Sequence, residues 1–211
     1  VAIHLLENDE LIGVDVTSGE DDILIASHNG KAIRFNENDV RTMGRDSQGV
    51  RSMKITNDDY IVDMAVVKEN SQIVTISSKG YGKRSSINEY RVQTRGGMGV
   101  KAGIFNDKTG NLVALKQTFE DNDILLIADN GIIIRTPLEQ ISSLSRVSQG
   151  VKVMRLKDEN VIVSVALVKK EENNEQGGGD NENLQIEQNN LTNESDMTNI
   201  NSQIEEGDTQ E

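Results

Sequence analysis

Apolar and polar positions alternate in short runs along residues 1 to 168, and the alternation itself recurs. It is clearest in the middle. "VRSMKI" (50–55), "YIVDMAVV" (60–67), "QIVTIS" (72–77) and "YGKRSSI" (81–87) are β-rich runs of strand length, separated by the polar or glycine turns "TNDD", "KENS" and "SKG". The tightest turns are Asn29-Gly30, Lys79-Gly80 and Asn130-Gly131. An Asn-Gly pair predicts a hairpin, with both residues tolerating positive φ. Helical periodicity is weak everywhere; "NENDV" (36–40) and "PLEQI" (137–141) read as single turns.

The runs return at a fixed period. Val50, Val100 and Val151 lie 50 and 51 residues apart, and so do Gly30, Gly80 and Gly131. The 26 residues from Gly30 to Ile55 align with Gly131 to Leu156 without a gap. "LIGVDV" (11–16) matches "YIVDMAVV" one step back. This gives three units starting at Val1, Val50 and Val100, with a half unit from Val151 to Val168. Four antiparallel strands per unit of about fifty residues predict an all-β, propeller-like array of blades, since one such blade buries too little surface alone. Three and a half blades leave the ring incomplete, and further blades are expected upstream. The chain opens "VAIHLL" without Met, which fits that expectation. The alternative is a β-sandwich with chance similarity.

Charge divides the chain. The net charge is -13, with hydrophobic residues at 35%. Residues 169–211 hold 2 Lys and 12 acids, little apolar content and no aromatic residue, and are expected to form a disordered acidic tail. Residues 23–168 hold 20 basic and 16 acidic residues, a net +4. There is no cysteine, so disulfides and thiolate metal sites are excluded, and no apolar run approaches the length of a membrane span.

The repeated cations are the candidate chemistry. Arginine recurs at Arg34, Arg84 and Arg135, and again at Arg45, Arg95 and Arg146. A third column reads Arg51, Lys101 and Lys152. Arg41 pairs with Arg91 across two units, and Lys54 with Arg155. One set of cations per blade on a curved rim suits a polyanion, with duplex DNA as the first candidate. With three Tyr, three Phe and no Trp, single-stranded nucleic acid is disfavoured. Two alternatives stand beside it. The arginines cap loops or pair with acids such as Glu89 and Asp46; or the array is a protein-interaction scaffold for an acidic partner. No catalytic constellation, metal-ligand spacing or nucleotide cradle is present in the motifs, and independent catalysis is not expected.

"VRTMGRDSQGVRSMKI" (40–55), "SKGYGKRSSINEYRVQTRGGMGVKAG" (78–103) and "SRVSQGVKVMRL" (145–156) resemble the C-terminal domain of the DNA gyrase A protein. The resemblance covers residues 1–168. It implies a β-pinwheel whose neighbouring blades exchange strands and whose rim wraps double-stranded DNA. It also implies a holoenzyme that introduces negative supercoils with ATP and Mg bound elsewhere. The remainder of the gyrase A protein and the gyrase B protein are the implied partners, in an A2B2 heterotetramer. The implied setting is cytoplasmic and nucleoid-associated. Lys83 joins the expected DNA contacts through the "GYGKR" motif. Gln93, Arg95, Gly96, Gly97 and Gly99 in "QTRGGMG" resemble the family's Gln-Arg-Arg-Gly-Gly-Lys-Gly box, from which Thr94 and Met98 depart, marking a degenerate internal copy. The corresponding domain of topoisomerase IV is the related alternative.

Overall fold

The structure, a computed structural model, describes residues 3–119, 121–157 and 159–170. The expected acidic tail lies outside the described residues from 171 onward; the last strand and its cap reach Lys170, whose N–H donates to Asp121 O at 2.9 Å.

Three hairpins organise the fold. They are β1 (Asp22–Ser27) with β2 (Lys31–Asn36), β4 (Gln72–Ser77) with β5 (Tyr81–Ser86), and β8 (Asn122–Ala128) with β9 (Ile133–Pro137). Their turns are not the expected two-residue type. Gly30, Gly80 and Gly131 are left-handed at φ of 79°, 79° and 82°, but the residues before them are not. Each glycine N–H instead closes a short turn onto Ser27, Ser77 or Ala128 O at 2.9 to 3.0 Å. A loop ending in one left-handed glycine keeps the strand twist without a second strained residue. The two single turns form as 3-10 helices at Glu37–Asp39 and Leu138–Gln140, with a third at Ile87–Glu89.

The remaining strands complete blades begun by other units. These are β3 (Ile61–Val67), β6 (Val100–Lys101), β7 (Leu112–Thr118), β10 (Val151–Lys152) and β11 (Ile162–Lys169). The first blade runs β3-β1-β2-β6, the second β7-β4-β5-β10, and the third β11-β8-β9. These strand pairs are antiparallel. The four strands of the first blade therefore come from three successive units. This corrects the reading of one unit as one blade: "YIVDMAVV" pairs with β1 behind it, not with the "QIVTIS" that follows it.

Two expected strands do not form. Residues 50–55 join no ladder among the described residues, and residues 11–16 have no strand, with Leu11 60%, Val14 80% and Val16 86% exposed. Their counterparts β6 and β3 each pair with a hairpin belonging to an earlier unit. A strand-like pattern forms a ladder only where an acceptor edge is present.

The core lies between blades. Leu24, Ala26, Ala32 and Val67 of the first blade meet Ile73, Leu112 and Leu115 of the second, together with Ile87, Tyr90 and Ala102. Val74, Ile76 and Ala114 of the second blade meet Ile124, Leu126 and Ile162 of the third. The second blade is covered on both faces, so "IVTIS" is buried at every step, whereas β1 alternates. Each fully buried Leu or Ile contributes about 1.5–3 kcal/mol. At one side the blades converge into a hub, β3 on β7 and β7 on β11, tied by a 2.8 Å ion pair between Lys116 Nζ and Asp63. The outermost strands, β6 and β10, lie at the opposite sheet edges and form the rim.

Candidate nucleic-acid interface

The repeated phrase builds the rim. After its short helix, the chain of one unit runs along the outer edge of the preceding hairpin. Val92 bridges Arg34 in parallel, and Gln93 N–H donates to Arg34 O at 2.7 Å. The chain turns through Thr94–Gly99 and returns as β6, placing Val100 opposite Ala32 and Lys101 opposite Lys31. Residues 142–152 repeat this path along β5: Ser143 bridges Arg84, and β10 sets Val151 opposite Gly82 and Lys152 opposite Tyr81. Gly99 shows why the turn needs glycine. It is left-handed, and a Cβ there would stand 2.5 Å from Ala32 O.

In two arginine columns, every member but Arg45 is bonded to groups of the protein itself. Arg34 Nε donates to Asp22 Oδ2 at 2.8 Å, and its Nη1 reaches the carbonyls of Ile87 and Tyr90 at 3.4 Å. Arg84 Nε donates to Ile141 O at 2.7 Å. Arg135 Nε donates to Asp123 Oδ2 at 2.8 Å and its Nη2 to Lys169 O at 3.0 Å. In the second column, Arg95 Nε donates to Asp39 O at 3.1 Å and its Nη1 to Arg51 O. Arg146 Nε donates to Glu89 O at 2.9 Å and its Nη1 to Lys101 O. Each clamps the rim turn onto the short helix before it, and Arg146 also onto β6. Arg45 stands exposed, with no such bond among the described residues. Recurrence of these arginines thus has a structural cause: a guanidinium presents a fork of donors that can meet several carbonyls and a carboxylate at once.

Lys83 corrects a further expectation. It is 2% exposed, and its Nζ donates to Ser145 O at 2.9 Å and to Arg146 O. Burial pushes its pKa down to about 8. A side chain so enclosed holds the rim turn from beneath and presents no charge to a ligand outside.

The third column differs. Arg51, Lys101 and Lys152 are all exposed, the two lysines on the outermost strands β6 and β10 and Arg51 against the rim turn at Arg95. So are Arg41, Arg91, Lys54 and Arg155. Lys101 faces Lys31 directly across the ladder, and neither forms an ion pair among the described residues. Like charges directly opposite are unfavourable unless an anion lies over them. Repeat-based reading missed Lys31, Lys79 and Lys108, since none of them recurs as a cation at its step in all units.

The box copy is a structural turn. Gly96 N–H donates to Ser52 O at 2.7 Å, and Lys54 N–H donates to Gly97 O at 2.8 Å. Gly96 is left-handed at 81°. Gln93 leaves its side-chain Nε2 buried without a partner among the described residues, beside an open depression lined by Asn36, Asp39, Arg91 and Thr94.

Comparison with known proteins follows these boundaries. The family model for the DNA gyrase C-terminal domain, beta-propeller, matches residues 21–68, 71–118 and 122–169. Each segment holds one hairpin and the hub strand that pairs with it. The DNA gyrase A protein of Ureaplasma parvum serovar 3 is 40% identical over 176 residues, which are 83% of this chain and 21% of that protein. The chain thus spans about a fifth of that relative's length. A solved structure of a DNA gyrase A C-terminal domain matches at a TM-score of 0.72 and 30% identity, covering 79% of this chain and 57% of that one. The C-terminal domain of DNA topoisomerase IV matches in fold at a TM-score of 0.75 and 24% identity, covering 80% and 53%. With three consecutive blades matched and this identity over most of its described length, the chain belongs to the DNA gyrase C-terminal domain, beta-propeller family.

Proposed function

We propose that this chain binds duplex DNA along its rim and serves as the DNA-wrapping module of a gyrase-type topoisomerase. The observation that carries this reading is the exposed column Arg51, Lys101 and Lys152 on the outermost step of successive units, extended by Lys31 opposite Lys101. The rim strands lie at the sheet edges away from the hub strands, and successive rim cations meet successive stretches of one bent duplex. Phosphate contacts of this kind give affinity without reading bases, and sequence preference then enters through the ease of bending. Arg41, Arg91, Lys54 and Arg155 extend the same basic track.

Within a holoenzyme, this module acts with the remainder of the gyrase A protein and with the gyrase B protein in an A2B2 assembly, in the cytoplasm and on the nucleoid. ATP and Mg act in other domains, and the chemistry of strand passage lies outside this segment. The protein-bonded arginines Arg34, Arg84, Arg95, Arg135 and Arg146 keep the rim in shape, and the cations of the third column hold the phosphates.

The test is duplex binding by the 211-residue chain across a salt series. Six or more phosphate contacts give a slope of log K against log salt near about -5. The triple variant Arg51→Ala, Lys101→Ala, Lys152→Ala flattens it by roughly 2.7, for three lost contacts. A shallow slope, or one that the triple variant leaves unchanged, overturns the reading in favour of a protein-binding scaffold.

A further inference from the structure

The second blade gathers three lysines that belong to no common sequence column. Lys79 lies in the β4–β5 turn, Lys108 in the loop before β7, and Lys152 on β10. They line one basin of about 460 Å³ with Leu156, Glu159, Asn160 and Val161. Tyr81 lies among them. Lys152 Nζ stands 4.2 Å from the ring centroid and Lys108 Nζ 5.9 Å.

The fold holds two of these ammonium groups in place and fixes the backbone that carries the third. Lys152 Nζ donates to Lys79 O at 2.9 Å, and Lys79 Nζ donates to Asp107 O at 2.5 Å. Lys108 is presented by a tight loop in which its N–H donates to Asn106 Oδ1 at 3.0 Å and Gly110 N–H donates to Asn106 O at 2.7 Å. None of the three forms an ion pair among the described residues, where Glu159 is the one acid in the lining. Each ammonium carries three donors, and the bonds above leave most of them open. Three cations around one acid repel one another until an anion joins them, and an aromatic face stabilises only part of that charge.

The arrangement is confined to the second blade. The steps that match Lys79, Lys108 and Lys152 in the first blade are Asn29, Asp58 and Lys101, and those that match Lys79 and Lys108 in the third are Asn130 and Glu159. A general need of the fold would place the cluster in every blade.

We propose that Lys79, Lys108 and Lys152, with Tyr81 between them, form a phosphate-binding basin. This deepens the DNA-binding reading, on which its preferred source of phosphate rests: Lys152 belongs to the rim column, so the basin is a fixed anchor for the backbone of a duplex passing over the second blade. Free polyphosphate offers the same group.

The test uses the full chain, its Lys79→Gln, Lys108→Gln double variant, and Tyr81→Phe. Lys152 stays in place, so the rim column is intact. Inorganic tripolyphosphate is titrated while tyrosine emission is followed; the chain has no Trp and three Tyr, and Tyr90 is buried. Wild type shows a saturable change that both variants lose. In duplex binding, the double variant flattens the salt slope by about 1.8, for two contacts. Loss of the tripolyphosphate signal with an unchanged duplex slope assigns the basin to free polyphosphate. A wild-type chain that takes tripolyphosphate but no duplex overturns the DNA reading and leaves the basin standing. A folded double variant with the wild-type tripolyphosphate response overturns the basin.

Discussion

Arg146 grips Glu89 twice, through its own N–H to Glu89 Oε2 at 2.7 Å and through its Nε to Glu89 O at 2.9 Å. Its Nη1 then reaches Lys101 O on the outermost strand of the first blade. One side chain thus ties a rim turn to the short helix of the preceding unit and to the neighbouring blade. Replacing it with Ala strips the carbonyls of their charged donors, at about 1.5–3 kcal/mol for such a bond. Arg146→Ala and Arg95→Ala are expected to lower the urea midpoint by an amount worth about 2 kcal/mol. Arg45→Ala, at an exposed position without such a bond, stays within about 0.5 kcal/mol of wild type.

At the hub, Asp63 accepts from Lys116 Nζ at 2.8 Å and from Leu115 N–H at 3.1 Å. Burial raises its pKa despite these partners. The folded protein therefore holds a proton on Asp63 to higher pH than the unfolded chain does, and stability falls as pH rises through that window. Lys116→Met removes the compensating charge and is expected to cost about 3 kcal/mol at neutral pH. Adding Asp63→Asn should recover much of that loss. Denaturant titrations of both variants from about pH 4 to 8 test this, and a single variant with no steeper decline than wild type refutes it.

Lys83 gives the opposite pH sign. Its pKa is lowered to about 8 from 10.5, so between those values the unfolded chain binds more protons than the folded one. Stability rises with pH across that interval. Below pH 8 the burial penalty is present in full. Lys83→Met abolishes the dependence: measured as thermal midpoints, wild type should gain on the variant from about pH 8 to 10. Parallel curves would mean that the lysine titrates normally.

Two hairpin glycines separate backbone strain from crowding. Gly80 and Gly131 have φ of 79° and 82°. A Cβ on Gly80 would stand 2.2 Å from Met154 O, where β10 and its continuation cover the turn; one on Gly131 meets nothing within 4 Å. Gly131→Ala carries only the left-handed penalty, about 1–2 kcal/mol. Gly80→Ala must also displace the strand carrying Lys152. It should lose several further kcal/mol, or lose β10 pairing, seen as faster amide exchange at Val153 and Met154, whose N–H groups donate to Gly80 O.

The period, the three hairpins and the two short helices were legible in the sequence, because strand alternation, turn glycines and unit spacing are local signals. "QIVTIS" reads as a strand and is one, to the residue. The partner of each strand was not legible. "YIVDMAVV" carries the same pattern whether it pairs with the hairpin behind it or the one ahead, and only packing of the blades sends it back to β1. The same holds for "LIGVDV" and "VRSMKI", whose apolar pattern gains no ladder without an acceptor edge.

For the cations, the sequence determines the positions, and the tertiary structure decides their direction. Arg95 and Lys101 lie in one rim phrase, yet one guanidinium turns inward onto carbonyls and the other side chain stands in solvent. Lys83 and Arg84 look like two adjacent contacts in "GKR", but one is enclosed under a turn and the other is bonded to Ile141 O. Charge recurrence records that each unit needs the residue. Whether a carbonyl within the fold or an anion outside it takes the hydrogen bonds depends on which backbone groups the neighbouring blade leaves unpaired, and that is set only when the blades pack.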